Sequence, residues 1–271
     1  MEYIYLGVLF ISAGLLAIAY YSSVPGRAEL QDRLPNKPTK RAIIPSAMLI
    51  LLLGAGIWYM GAVSVGAFHP SKVLLVIFAL LVFESFFILS LRWFRSNTFA
   101  VLACSAATCL LFWAYFTVQV FFIFNGIVII ATLGAATLLV RLGYLRTRLL
   151  FIVTVLWVAY DVMLVRYVLP NVTVPADSPS PSFLFPAVTV GHVSLGSGDF
   201  MFLSLFTLVL LRDFGRLSAA VHVILQGTLY FITGLAVPEA GFLLPFLVIM
   251  APAFFLVYGT SYYSSRAKRI S

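Results

Sequence analysis

Nine of the 271 residues are Asp or Glu. Six of them, Glu2, Glu29, Asp32, Asp177, Asp213 and Glu239, lie in polar stretches or at the edges of apolar runs. The other three, Glu84, Asp161 and Asp199, lie inside apolar runs. A carboxylate at the centre of a bilayer costs about 2.5–3.5 kcal/mol even on the milder scales, so an acid that persists there is a functional candidate. Asp161 stands twelve residues into a run that starts at Leu149, and Asp199 twelve residues before a run ends at Leu211. In helices rising 1.5 Å per residue, each carboxylate would sit about 18 Å from the same face. Consecutive antiparallel helices then bring the two acids to equal depth, where like charges make them share a proton and titrate as a unit. Such a pair can activate water: one carboxylate takes its proton while the other, protonated, donates to a carbonyl oxygen. Paired intramembrane acids also couple protons or cations in transporters. Depth alone leaves both chemistries open.

The elements that must hold these acids are hydrophobic spans. The chain is 62% apolar and 10% charged, against about 45–50% and about 25% for soluble domains. Its mean hydropathy is +1.08. That excludes a water-soluble monomer and leaves no length for a separate soluble domain. The apolar runs are 2–21, 42–66, 72–91, 98–140, 149–169, 185–211, 217–236 and 241–262. The run 98–140 is too long for one span and divides near Gln119, since a span takes about 20 residues. Nine spans result. The first run is long enough to remain as a span, and it lacks the small-residue cleavage site of a signal peptide.

Basic residues orient the spans. Arg27, Arg33, Lys37, Lys40 and Arg41 follow span one, and Arg92 and Arg95 follow span three. Arg141, Arg146 and Arg148 follow span five, Arg212 and Arg216 span seven, and Arg266, Lys268 and Arg269 span nine. All fall on one side of a nine-span chain, and only Lys72 and Arg166 fall elsewhere, near span ends where they can snorkel. Positive loops face the cytosol. The expectation is an all-α polytopic membrane protein with nine transmembrane helices, its N-terminus outside and its C-terminus cytosolic. Residues 1–169 would hold helices one to six, 170–184 an extracytoplasmic loop and 185–271 helices seven to nine. The net charge of +8 is accounted for by this orientation, so nucleic acid is not an expected partner. The tripeptide Asn171-Val172-Thr173 is a glycosylation acceptor pattern in the outer loop, a weak signal.

Around the two acids the sequence reads Ala159-Tyr160-Asp161 and Leu195-Gly196-Ser197-Gly198-Asp199-Phe200. Glycines next to an intramembrane acid weaken a helix and admit other backbone. Irregular backbone at that depth must line a cavity or be buried in protein. Tyr-Asp in span six followed by Gly-x-Gly-Asp in span seven resembles the presenilin and signal peptide peptidase family of intramembrane aspartyl proteases. A third motif supports it. That family carries Pro-Ala-Leu at the start of span nine, where this chain has Pro245-Phe246-Leu247, followed by Pro252-Ala253. Phe246 departs from the pattern and leaves open whether the substrate space is narrower. The resemblance spans the nine-helix layout, with motif identity confined to these three places.

The resemblance implies that Asp161 and Asp199 are the catalytic pair, that Tyr160, Gly196 and Gly198 shape the active site, and that Pro245, Phe246 and Leu247 contact substrate. It implies no cofactor and no metal. Substrates would be transmembrane helices or signal-peptide remnants in membrane lipid, and a homo-oligomer is compatible with it. The N-outside orientation matches signal peptide peptidases, which implies substrates with a cytosolic N-terminus. The membrane would be that of the endoplasmic reticulum in a eukaryote and the cell membrane in a prokaryote. An unwound substrate would add as a strand beside exposed backbone, for example near 188–193. The short loop between spans six and seven implies an intact chain without self-cleavage. Two other classes remain open: an ion- or proton-coupled transporter using the same acids, and a catalytically silent binder of membrane helices.

The remaining polar residues have plainer readings. Glu84 is expected to pair inside the bundle, with a third acid near the cavity as the alternative. His222 and Gln226, one turn apart, are expected to hydrogen-bond across helices. His192 has no companion at metal-ligand spacing. Cys104 and Cys109 are about 8 Å apart on one helix, too far for a disulfide.

Overall fold

The computed structural model describes residues 2–24, 70–94, 97–118, 121–145, 147–163, 187–190, 193–236 and 247–270. Span 42–66, loop 170–184 with its Asn171 sequon, Arg166, His192, Pro245 and Phe246 lie outside the described residues. The Asp161 side chain does too, although its backbone is helical.

The described chain is nearly all helical. In order it forms α1 (Glu2–Ser23), α2 (Pro70–Ser90), α3 (Asn97–Val118), α4 (Phe121–Arg141), α5 (Thr147–Met163), β1 (Ala187–Val190), β2 (Val193–Gly196), α6 (Ser197–Phe214), α7 (Arg216–Ala236) and α8 (Leu247–Ile270). Stretches Ile4–Ser23, Thr98–Val118, Phe122–Arg141 and Leu247–Ala267 are long and apolar enough to cross a membrane, consistent with a membrane protein. The long apolar run divides as expected, between Val118 and Phe121.

One expected helix is corrected. The run 185–211 does not begin as a helix. Residues Ala187–Val190 pair antiparallel with Val193–Gly196, in the register Ala187↔Gly196 to Val190↔Val193, and α6 starts only at Ser197. Val188, Thr189, Val190 and Val193 are β-branched, and such side chains suit a pleated surface better than a helix. The described residues are thus nearly all helical with one two-stranded sheet, rather than all-α.

Helix α6 is the axis of the bundle. It packs on α4, α7, α1 and α8, while α2 joins through α4, and α3 packs mainly on α2. Small residues let backbones approach where oily bulk would hold them apart. A Cβ on Gly134 of α4 would fall 1.6 Å from Ser85 Oγ of α2. That hydroxyl donates to the carbonyls of Leu81 (2.7 Å) and, across the helix pair, Ile130 (2.9 Å). Likewise a Cβ on Gly227 of α7 would fall 2.2 Å from Ile11 of α1. The turn from α6 to α7 is a single residue, Gly215, at φ 89°, a left-handed conformation that costs glycine nothing.

Arginines close one end of the bundle. Arg92 Nη1 donates to Ser23 O (3.1 Å), Arg141 Nη2 to Tyr21 O and Val24 O, and Arg212 Nη1 to Leu145 O (3.2 Å). They satisfy carbonyls at and beyond helix C-termini that have no intrahelical donor.

Candidate functional site: an acid at a strand-to-helix junction

Asp199 is the third residue of α6, in its first turn. The N-cap is Gly196, at φ −61° and ψ 149°, and it makes no side-chain cap. Asp199 Oδ2 lies 3.6 Å from where a Cβ on Gly196 would stand. The carboxylate therefore turns back toward the helix start, where unpaired N–H groups and the positive end of the helix dipole collect. A Cβ on Gly198 would meet nothing within 4 Å. The Gly196 backbone is ordinary extended conformation, so the glycines here leave room rather than supply a special dihedral angle.

Packing fixes this junction. Phe200, next in sequence, is buried and meets Phe10 of α1 edge-on, with centroids 5.3 Å apart. Phe10 stacks in turn on Tyr230 of α7 at 5.9 Å. Leu195 at the end of β2 is buried as well. The hairpin itself rests on α4 and α1.

Contacts at two points set α5 beside α6. At one end Thr147 Oγ1 donates to Asp213 Oδ2 at 3.0 Å. Further along, Trp157 meets Phe202 with centroids 5.7 Å apart. The helices therefore run antiparallel. Position 161 is fourteen residues from Thr147, and Asp199 is fourteen from Asp213. At 1.5 Å per residue both stand about 21 Å from that anchor. Position 161 is also one turn past Trp157, and Asp199 lies three residues before Phe202. Residues three or four apart share a helix face, which puts Asp199 on the face of α6 that carries Phe202. Tyr160 is 45% exposed and its ring lies 5.8 Å from that of Trp157.

Leu247 opens α8 and is buried. The first turn of α8 is tied down by a buried polar chain across three helices. Gln226 Nε2 donates to Met250 O at 2.8 Å and to His222 Nε2 at 3.0 Å. That leaves the other ring nitrogen, Nδ1, to donate to Thr207 Oγ1 at 3.4 Å. His222 and Gln226 thus hydrogen-bond across helices as their spacing suggested. Thr207 and the Trp157–Phe202 pair were not singled out from sequence. The signal for the rings was present, two aromatics within a turn of each acid.

Glu84 is half-buried on α2, next in sequence to Ser85, whose carbonyl accepts a hydrogen bond from the Tyr20 phenol of α1. Cys104 and Cys109 are free thiols, one buried and one exposed. Among the described residues no three His, Cys, Asp or Glu side chains group as metal ligands. The fold and site together describe a helical bundle with helices of membrane-crossing length and an acid at a glycine-lined helix start. No family model matches the chain, and no curated protein matches it.

Proposed function

We propose that this chain is an intramembrane aspartyl protease of the signal peptide peptidase type, with Asp161 and Asp199 as its catalytic pair. The observation that carries this reading is the antiparallel course of α5 beside α6, which sets positions 161 and 199 at equal height above the Thr147–Asp213 contact. One carboxylate takes a proton from water, whose oxygen attacks the peptide carbonyl carbon. The other, protonated, donates to the carbonyl oxygen. The tetrahedral diol then collapses, the C–N bond breaks, and the amine leaves with a proton from the pair. The substrate is a transmembrane helix or signal-peptide remnant that has locally unwound, since a helix offers no accessible peptide bond. The hairpin before Asp199 supports this part of the reading, because extended backbone there offers an edge to an extended substrate.

The proposal includes nine spans, an outer N-terminus and a cytosolic C-terminus. The clustering of Arg92, Arg141 and Arg212 at one bundle end supports that orientation. Residence in the endoplasmic reticulum or a prokaryotic cell membrane follows from the same reading.

Cleavage of a model transmembrane peptide by the purified protein tests it. Activity should vanish in Asp161→Ala and in Asp199→Ala, and with a transition-state-type aspartyl protease inhibitor. Wild type and variants behaving alike would sink the protease. Ion flux in liposomes, lost in the same variants without any cleavage, would instead favour a transporter.

A further inference from the structure

A cleft of about 570 Å³ opens where the C-terminal ends of α1, α4 and α6 meet the start of α5, lined by Tyr21, Arg141, Gly143, Leu145, Thr147 and Arg212 among others. Its volume lies within the range of about 300–1,000 Å³ usual for small-molecule sites. The two arginines are not equally engaged. Arg212 is held by Asp213, with Nε 2.7 Å from Oδ1, and also donates to Leu145 O (3.2 Å) and Thr147 Oγ1 (2.8 Å). Arg141 donates through Nη2 to the Tyr21 and Val24 carbonyls, and its guanidinium lies 3.7 Å over the Tyr21 ring centroid. Its Nε is buried with no acceptor among the described residues. No described acceptor meets its Nη1 either, and no described carboxylate pairs with it.

We infer that this cleft binds a phosphate group, the headgroup phosphate of an anionic lipid in the cytosolic leaflet. Arg141 carries a positive charge that no described carboxylate offsets, with its Nη1 not engaged by any described acceptor. Phosphate oxygens match the guanidinium fork. Arg212, held by Thr147 Oγ1, lines the same cleft at the start of α5, where a helix leaves N–H groups without intrahelical partners. Basic pockets between membrane helices at the cytoplasmic level hold lipid headgroups in this way. The cleft is about 21 Å along α5 and α6 from the aspartate level, so the site is separate from the proposed catalytic pair. The inference rests on membrane placement and orientation and not on protease activity.

Native mass spectrometry of the full chain, released from nanodiscs, tests it. The nanodiscs are phosphatidylcholine alone or phosphatidylcholine with phosphatidic acid. Wild type should retain phosphatidic acid in preference to phosphatidylcholine, and Arg141→Gln should lower that retention about tenfold, as expected for lost charged hydrogen bonds. Thr147→Val should lower it less and serves if Arg141→Gln does not fold. Arg266→Gln, at the exposed end of α8, should leave it unchanged. A second arm adds inorganic phosphate to the detergent-solubilised protein. An Arg141-dependent thermal shift with phosphate, without lipid retention, would keep the phosphate site but make its source soluble. Equal retention by wild type and a folded Arg141→Gln, or an equal loss in Arg266→Gln, would overturn the site.

Discussion

The two helices that carry Asp161 and Asp199 are packed in opposite ways. In α6 every residue from Phe202 to Leu210 is buried. In α5 only Leu150 and Thr154 are buried among the described side chains, and Ile152, Val155, Leu156 and Met163 are exposed. Helix α5 leans on α8 through Phe151, whose ring stacks on Phe255 at 4.7 Å, and touches α6 at its base and at Trp157. Among the described helices, α6 thus lies at the centre of the bundle and α5 at its edge. A helix with few buried contacts sits at the low-stability end of a structure.

The sharpest break of this comparison is chemical. On the proposed mechanism, Asp161→Asn and Asp199→Asn should each lower peptide cleavage by about 10²–10⁴-fold, and the double variant should be scarcely worse, as residues acting as a unit are not additive. Independent, additive losses in a cleavage assay would show that the acids do not work together.

Next in size is the packing contrast itself. Phe206 is 0% exposed and stacks on Phe254 at 4.2 Å. Phe206→Ala should cost about 3–5 kcal/mol, read from unfolding in mixed detergent. Leu156→Ala on α5, 66% exposed, should change stability by no more than about 0.5 kcal/mol. Similar losses in both would mean that α5 is packed as tightly as α6.

Gln226→Leu should cost about 1–3 kcal/mol, because it strips the buried Met250 carbonyl and the His222 ring of their partner. Cleavage should fall with it, because the start of α8 is then no longer tied to α7. A variant with full stability and activity would deny the polar chain its positioning role. Smaller still is Trp157→Ala, where loss of the aromatic pair should take about 0.5–1.5 kcal/mol beyond buried area. Its effect on cleavage should exceed its effect on stability, since it loosens α5 more than the core. Least of all, Gly126→Ala should stabilise by about 0.5–1 kcal/mol, as a Cβ there meets nothing within 4 Å. The same change at Gly134 should destabilise through the Ser85 clash.

Much of this was legible in the sequence. Apolar length separated α3 from α4 near Gln119, because a bilayer sets how long a span can be. Scarcity of charge isolated Glu84, Asp161 and Asp199. The spacing of His222 and Gln226 placed them on one face of α7. The hairpin was not legible as a strand pair, because an apolar run before a helix looks like more helix. Only the β-branched cluster at Val188, Thr189, Val190 and Val193 hinted otherwise, and short apolar runs do not distinguish strand from buried helix.

The sequence by itself determined the oily composition, most of the helix positions and the two acids twelve residues from their run ends. Those follow from hydropathy and the rise per residue, which are local quantities. Tertiary structure decided that α6 lies at the centre and α5 at the edge, that Asp199 opens a helix instead of interrupting one, and that Arg141 and Arg212 share a cleft. Those outcomes depend on which helix faces meet, and neighbours distant in sequence choose them through close packing at residues such as Gly134 and Gly227.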